Sequence, residues 1–129
     1  HLHSHDICKL PFDNETVDLI YASHVLEYFD REEVLIVLSE WKRVLKKRGT
    51  LRLAVPDFNA LSRLYQQGTP IEEVTGPLYG RWNMDGDWVY HRTTYDYKSL
   101  EAVLETLSTE TTMTIHRRTS LIWIKKTEH

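Results

Sequence analysis

Two short apolar runs on either side of one amphipathic segment constrain the architecture of this chain more than any other feature. Val17-Asp18-Leu19-Ile20-Tyr21-Ala22 is a mostly apolar run of strand length, and a strand apolar on both faces is expected inside a covered parallel sheet. Asp30-Arg31-Glu32-Glu33 has the Asp-x-x-Glu form of a capping box, with acidic residues in the first turn where the helix dipole favours them. Val34, Leu38, Trp41 and Leu45, supported by Val37 and Val44, recur at three- and four-residue spacing, which predicts a helix with one apolar face. Gly49 is expected to end that helix as its C′ residue. Thr50-Leu51-Arg52-Leu53-Ala54-Val55 follows as a second strand, closed by Pro56, which cannot continue a central ladder. Strand, helix and strand in that order make one βαβ unit, so the chain is expected to be α/β.

Beyond Asp57 the periodicity weakens. Leu61, Leu64 and Tyr65 suggest a short helix, and Gly68, Pro70, Gly76, Pro77, Gly80 and Gly86 then punctuate a stretch rich in aromatics. Residues 57–97 are expected to form an insertion or lid within a single domain covering 1–129, because connections of that length in compact domains are usually functional. Their aromatic density argues against disorder. Ser99 is the expected N-cap of a helix with Leu100, Val103, Leu104 and Leu107 on one face. Thr111 to Arg117 and Leu121 to Lys125, joined by Arg118-Thr119-Ser120, read as a final antiparallel hairpin.

Composition narrows the function classes. A hydrophobic content of 41% over 129 residues is enough for a modest core. A net charge of −3 gives no field that would gather nucleic acid. The one basic cluster, Lys42-Arg43 with Lys46-Lys47-Arg48, is expected at a helix C-terminus, where cations complement the dipole. One cysteine, Cys8, excludes an internal disulfide and suits a reducing, cytoplasmic setting. No apolar run approaches the ~20 residues of a membrane span, and no signal-peptide pattern opens the chain. It begins with His1 instead of methionine, as expected of a cropped or processed sequence. His1, His3 and His5 alternate as ligands on a strand would, but no second ligand cluster stands downstream at recognisable spacing, so no metal is expected.

The strings Asp6-Ile7-Cys8-Lys9-Leu10-Pro11-Phe12, Val17 to Phe29, Trp41 to Lys46 with Gly49, and Leu51 to Phe58 together resemble the class I S-adenosylmethionine-dependent methyltransferases. The resemblance implies a Rossmann-like sheet of seven strands in the order 3-2-1-4-5-7-6, with the cofactor across the C-terminal ends of its first strands. Asp6 would then close strand 3, Val17 to Ala22 would be strand 4, Thr50 to Val55 strand 5, and the hairpin strands 6 and 7. The expected fold is therefore a partial class I methyltransferase sheet, 4-5-7-6 with the end of strand 3. Leu78-Tyr79-Gly80, His91 and Tyr95-Asp96 are similar to a subgroup of small predicted methyltransferases, although Ser108-Thr109-Glu110 stands where that subgroup has Gly-Phe.

By the same resemblance, Asp6 accepts a hydrogen bond from the adenine amino group, which suits an acceptor-only carboxylate, and Ile7 packs on the ring. Ala22 and Ser23 border the cofactor at the end of strand 4. His24 follows where the methyl group faces the acceptor, and an imidazole there suits removal of a proton from a hydroxyl or amine, the alternative being a scaffold residue that caps the loop before Asp30. His91 is the second candidate base. Asp57, Tyr79, Trp82 and Tyr95 are candidate walls of a pocket for a small-molecule or sugar-like acceptor, the alternative for the aromatics being a small core of their own. The family's glycine-rich turn after strand 1 and the acidic residue ending strand 2 have no counterpart among the five glycines and their surroundings. A polypeptide of these residues is thus expected to bind S-adenosylmethionine poorly. The alternative to an enzyme is a non-catalytic binding or scaffold module. In either case strand 4 would be left as an apolar edge, which predicts a homo-oligomer.

Overall fold

Parallel pairing joins β1 (Val17–Ser23) to β2 (Leu45–Pro56), with α1 (Glu33–Val44) between them in sequence. The structure is a computed structural model and describes residues 9–106, 111–118 and 121–128. After β2 come α2 (Phe58–Gln66), α3 (Ile71–Tyr79), β3 (Trp82–Met84), β4 (Asp87–Val89), α4 (Tyr97–Glu105), β5 (Thr111–Arg118) and β6 (Leu121–Glu128). The main sheet has the order β1-β2-β6-β5, with β6 antiparallel to both of its neighbours. This is the expected 4-5-7-6 arrangement ending in an antiparallel hairpin.

The start of α1 follows its sequence signature. The Asp30 carboxylate accepts from the N–H groups of Glu32 (2.9 Å) and Glu33 (2.8 Å), and the Asp30 N–H donates to Glu33 Oε1 at 3.1 Å. Otherwise orphaned donors are thereby satisfied reciprocally. The far end departs from expectation. The helix stops at Val44, and Gly49 lies inside β2. Leu45 pairs with Val17 and Thr50 with Leu19, so Lys46 to Gly49 form an irregularity in the β1–β2 ladder. A Cβ on Gly49 would approach the Lys46 carbonyl oxygen to 2.8 Å, which explains a glycine at this position. Only Lys42 and Arg43 of the basic cluster occupy the last helical turn. Arg43 also donates to the carbonyls of Leu10 and Phe12 and pairs with Glu40, holding the chain that leads into β1 against α1.

Val34, Val37, Leu38 and Trp41 of α1 share one core cluster with Leu51, Leu53 and Val55 of β2 and Leu100 and Leu104 of α4. The expectation that β1 is covered on both faces is not met. Leu19 is 48% and Tyr21 57% exposed, and β2 is the only strand paired with β1 among the described residues. Side chains alternate along a strand, so one covered face leaves every second residue on the other side open.

Residues 57–97 hold more regular structure than their glycines and prolines suggest. Pro70 precedes α3 and Pro77 sits in its last turn. Asp85 (φ 53°) and Gly86 (φ 93°) make a two-residue turn of positive φ between β3 and β4, as Asp-Gly favours. The N-cap of α4 is Asp96, not Ser99. Ser99 is the third helical residue and completes a capping box, its N–H donating to Asp96 Oδ1 at 2.8 Å and its Oγ accepting from the Asp96 N–H at 3.0 Å. Among the described residues no helix is long and apolar enough to cross a membrane.

Candidate active site

Because β1 and β2 run parallel, the residues that follow them, His24 and Asp57, come out on the same edge of the sheet. In open α/β sheets that carboxyl edge is where ligands bind. The His24 N–H donates to the Ala54 carbonyl at 2.9 Å, extending the ladder by one bond. Its backbone then turns into the left-handed region at φ 57°, which is uncommon for a residue with a Cβ and is met more often at functional sites. The imidazole is left half exposed, at 51%.

The turn after His24 drives an acid inward. Leu26–Tyr28 form one 3₁₀ turn, and within it the Glu27 side chain is only 1% exposed. Residues 91–93 lie across this turn. The Arg92 and Thr93 N–H groups donate to the Glu27 carbonyl at 2.8 and 3.2 Å, and the Thr93 hydroxyl donates to the Phe29 carbonyl at 2.8 Å. Glu27 Oε2 faces two imidazoles, at 3.6 Å from His24 Nδ1 and 3.9 Å from His91 Nε2. Neither Glu27 oxygen has a hydrogen-bond partner among the described residues, nor does the buried Tyr95 hydroxyl.

His91 is enclosed, at 6% exposure. Its Nδ1 lies 3.1 Å from the Leu78 carbonyl oxygen, so Nδ1 carries the proton and, in the neutral ring, Nε2 presents a lone pair to Glu27. The Tyr28 ring meets the imidazole edge-on at 4.7 Å, and the Gly80 backbone presses on it from the end of α3. Burial sets the electrostatics. It pushes the Glu27 carboxyl up to about 7 and pushes His91 down. It also raises Tyr95 to about 12 and Tyr28 above its ordinary value, with the Glu27 charge as the second cause in both. A carboxyl that titrates near neutrality beside an exposed imidazole is suited to proton transfer.

The structure thus brings together His24, His91 and Tyr95 from the residues singled out by sequence. Asp57 is buried nearby but committed: its carboxylate caps α2 by accepting the Asn59 N–H at 3.0 Å, and its backbone bridges to Tyr95. Tyr79 points away, 62% exposed, and contributes instead a carbonyl that accepts the His91 N–H at 2.6 Å. Trp82 is half exposed and meets Tyr28 edge-on at 6.0 Å. Ala22 is buried in β1 and Ser23 half-buried at its end. Asp6 and Ile7 lie outside the described residues. Glu27 was missed by sequence reasoning. The available signal was a lone acid, three residues after a candidate base, inside the apolar run Val25 to Phe29.

Among the described residues no group of three or more His, Cys, Asp or Glu is placed to hold a metal ion. A depression of about 280 Å³ between α2 and α4 is lined by Phe58, Asn59, Ser62, Asp96, Tyr97 and Lys98 and by none of His24, Glu27, His91 and Tyr95. The five glycines lie in the β2 irregularity, in or after helices, and in the β3–β4 turn, so none forms a strand-to-helix cradle for a cofactor. Ser23 and His24 stand at the carboxyl edge of the sheet, with the buried Glu27 carboxyl beside His24.

The family model described as a methyltransferase domain matches residues 1–53. No curated protein matches the chain. Among solved structures, the PH0226 protein of Pyrococcus horikoshii OT3 is similar over 96% of this chain and 57% of its own, at 19% identity and a TM-score of 0.66. A SAM-dependent methyltransferase of Methanosarcina mazei is similar over 95% of this chain and 64% of its own, at 18% identity and a TM-score of 0.64. The 1,6-didemethyltoxoflavin-N1-methyltransferase of Burkholderia thailandensis, solved with 1,6-didemethyltoxoflavin and S-adenosylhomocysteine bound, is similar over 95% and 48%, at 9% identity and a TM-score of 0.61. This chain therefore spans less than two thirds of each of these proteins. The first 53 residues thus match the model of a methyltransferase domain, and over nearly all of its length the chain shares the fold of these solved structures, S-adenosylmethionine-dependent methyltransferases among them.

Proposed function

We propose that this chain serves methyl transfer from S-adenosylmethionine to a small-molecule or sugar-like acceptor whose hydroxyl or amine must lose a proton, with His24 as the group that takes it. The observation that carries this reading is the strained, half-exposed His24 at the carboxyl edge of two parallel strands, backed by the buried Glu27. When bound, the methyl donor supplies a sulfonium-activated carbon: the acceptor's electron pair forms the new bond while the carbon–sulfur pair stays on sulfur. The protein's own task is alignment and proton removal. Ser23 and the backbone of Ala22 would border the donor, and Asp6 and Ile7 would meet its adenine. In this reading Asp57, bridged to Tyr95, would support the site, and Trp82, edge-on to Tyr28, would flank the acceptor.

The test is transfer of labelled methyl from S-adenosylmethionine to a panel of hydroxyl and amine acceptors, using the protein together with any glycine-rich segment upstream of His1. His24→Asn is expected to lower turnover by roughly 10²–10⁴-fold with S-adenosylhomocysteine affinity unchanged. An undiminished rate removes His24 from the role. Calorimetry showing no S-adenosylhomocysteine binding by that longer protein ends the cofactor reading.

One observation favours a second role. Among the described residues β1 pairs with β2 alone, and Leu19 is exposed, which supports pairing of its other side with a further strand. A polypeptide of residues 1–129 is expected to associate with itself through this edge, giving a dimer or larger species in light scattering. A stable monomer at high concentration would contradict it.

A further inference from the structure

We infer that Glu27 is the positioning residue of this site: its carboxyl receives, through His24, the proton that leaves the methyl acceptor and holds it against Nε2 of the enclosed His91. The inference rests on the methyl-transfer reading above, and it is carried by the shape of the cluster.

A single oxygen, Glu27 Oε2, faces both rings, at 3.6 and 3.9 Å. Both distances are slightly long for hydrogen bonds, as unliganded catalytic contacts often are. A buried carboxylate normally gathers several donors, because an unpaired charge in the interior is costly. Here the ion-pair partners among the described residues are these two imidazoles, and while His91 is neutral, the form its burial favours, only His24 can donate. His91 is held by Leu78 at Nδ1, by the Gly80 backbone at its face and by the Tyr28 ring at its edge, so it cannot turn to offer a donor. A lone pair aimed at a carboxylate is repulsive, whereas aimed at a carboxylic acid it accepts a hydrogen bond. The pocket is therefore built for Glu27 in its protonated form.

His24, half exposed, connects that pocket to the carboxyl edge of the sheet. In the proposed step the acceptor's X–H bond breaks and its proton goes to His24 Nε2, while the proton on His24 Nδ1 passes to Glu27 Oε2. His24 ends neutral, Glu27 ends as the acid, and nothing is oxidised or reduced. Burial, which raises Glu27 to about 7 and lowers His91, acts in the same direction. The other groups around the cluster are not competing cations. Tyr28 and Tyr95 are raised, Asp57 caps α2, Arg92 pairs with Glu33 at 2.9 Å, and Arg31 acts on Tyr95.

The experiment is carboxyl ¹³C and imidazole ¹⁵N NMR of the protein across neutral pH. The expected result is one glutamate carboxyl titrating near pH 7, absent in Glu27→Gln, with His91 in its Nδ1–H form throughout. In His91→Gln the Glu27 midpoint is expected to fall by about one unit, because the lone pair that favours the acid is gone. If that variant does not fold, the native ring decides: a doubly protonated His91, or a Glu27 ionised throughout, overturns the inference. In the kcat/KM profile the limb near pH 7 is expected to vanish in Glu27→Gln while S-adenosylhomocysteine affinity holds. A limb that survives also overturns it. Absence of methyl transfer with the NMR signature intact would fail the preceding reading alone and leave the Glu27–His91 proton in place.

Discussion

At alkaline pH, Glu27→Gln is expected to be more stable than the native chain by about 3 kcal/mol, since a shift of that group from 4.5 to about 7 corresponds to that energy. The sign follows from proton binding. Between the two values the folded state keeps the Glu27 proton and the unfolded chain has released it, so raising the pH favours unfolding. The stability associated with the raised value is complete below 4.5 and is lost as the pH passes 7. Glutamine has nearly the same shape, never ionises, and can donate its amide N–H to the His91 lone pair. Urea unfolding at acidic, neutral and alkaline pH should show the native chain losing stability across that window, with the variant lacking this component. Equal pH slopes in the two proteins would mean that Glu27 is not the buried acid described here.

Gly80→Ala is expected to destabilise the fold by about 3 kcal/mol or more, adding backbone strain to a steric collision. Gly80 has φ 57° and ψ 178° where α3 ends, a combination that is essentially restricted to glycine. A Cβ there would stand 2.3 Å from His91 Nε2, the atom that faces Glu27. The ring cannot retreat without giving up its Leu78 contact or its edge against Tyr28. Gly68→Ala provides the control, because Gly68 also has positive φ, at 107°, but a Cβ there would meet nothing within 4 Å. It is expected to show the strain alone. Similar losses at both positions, with unchanged His91 resonances, would remove the close-approach account and with it the reason that His91 is fixed.

Local patterns made much of this fold legible. Apolar runs of strand length located β1 and β2, and the Asp30–Glu33 pair marked the entrance to α1, because these interactions lie within one turn or one strand. Where two local solutions had similar energies the sequence misled. Asp96 and Ser99 are each good caps three residues apart, and which becomes the N-cap depends on where the chain leaves its bridge to Asp57. Gly49 suits a helix end as well as a strand irregularity, and pairing of Leu45 with Val17 selected the second. Gly76 and Pro77 read as breakers, yet α3 accommodates Pro77 in its last turn.

The site divides in the same way. His24 and His91 were visible as residue types suited to proton transfer, and the family resemblance placed His24 after a central strand. Glu27 was not visible, because a glutamate in sequence carries no mark of burial. Its environment is made by residues 91–93, which reach back across the 3₁₀ turn through contacts such as the one spanning 64 residues from Thr93 to Phe29. The sequence by itself determined the βαβ unit and the closing hairpin, set by short-range periodicity and capping, while the histidine at the carboxyl edge was implied by the resemblance. Only the tertiary structure decided that an acid would be enclosed between two imidazoles and pushed toward a neutral titration point, because desolvation depends on what the rest of the chain folds over it.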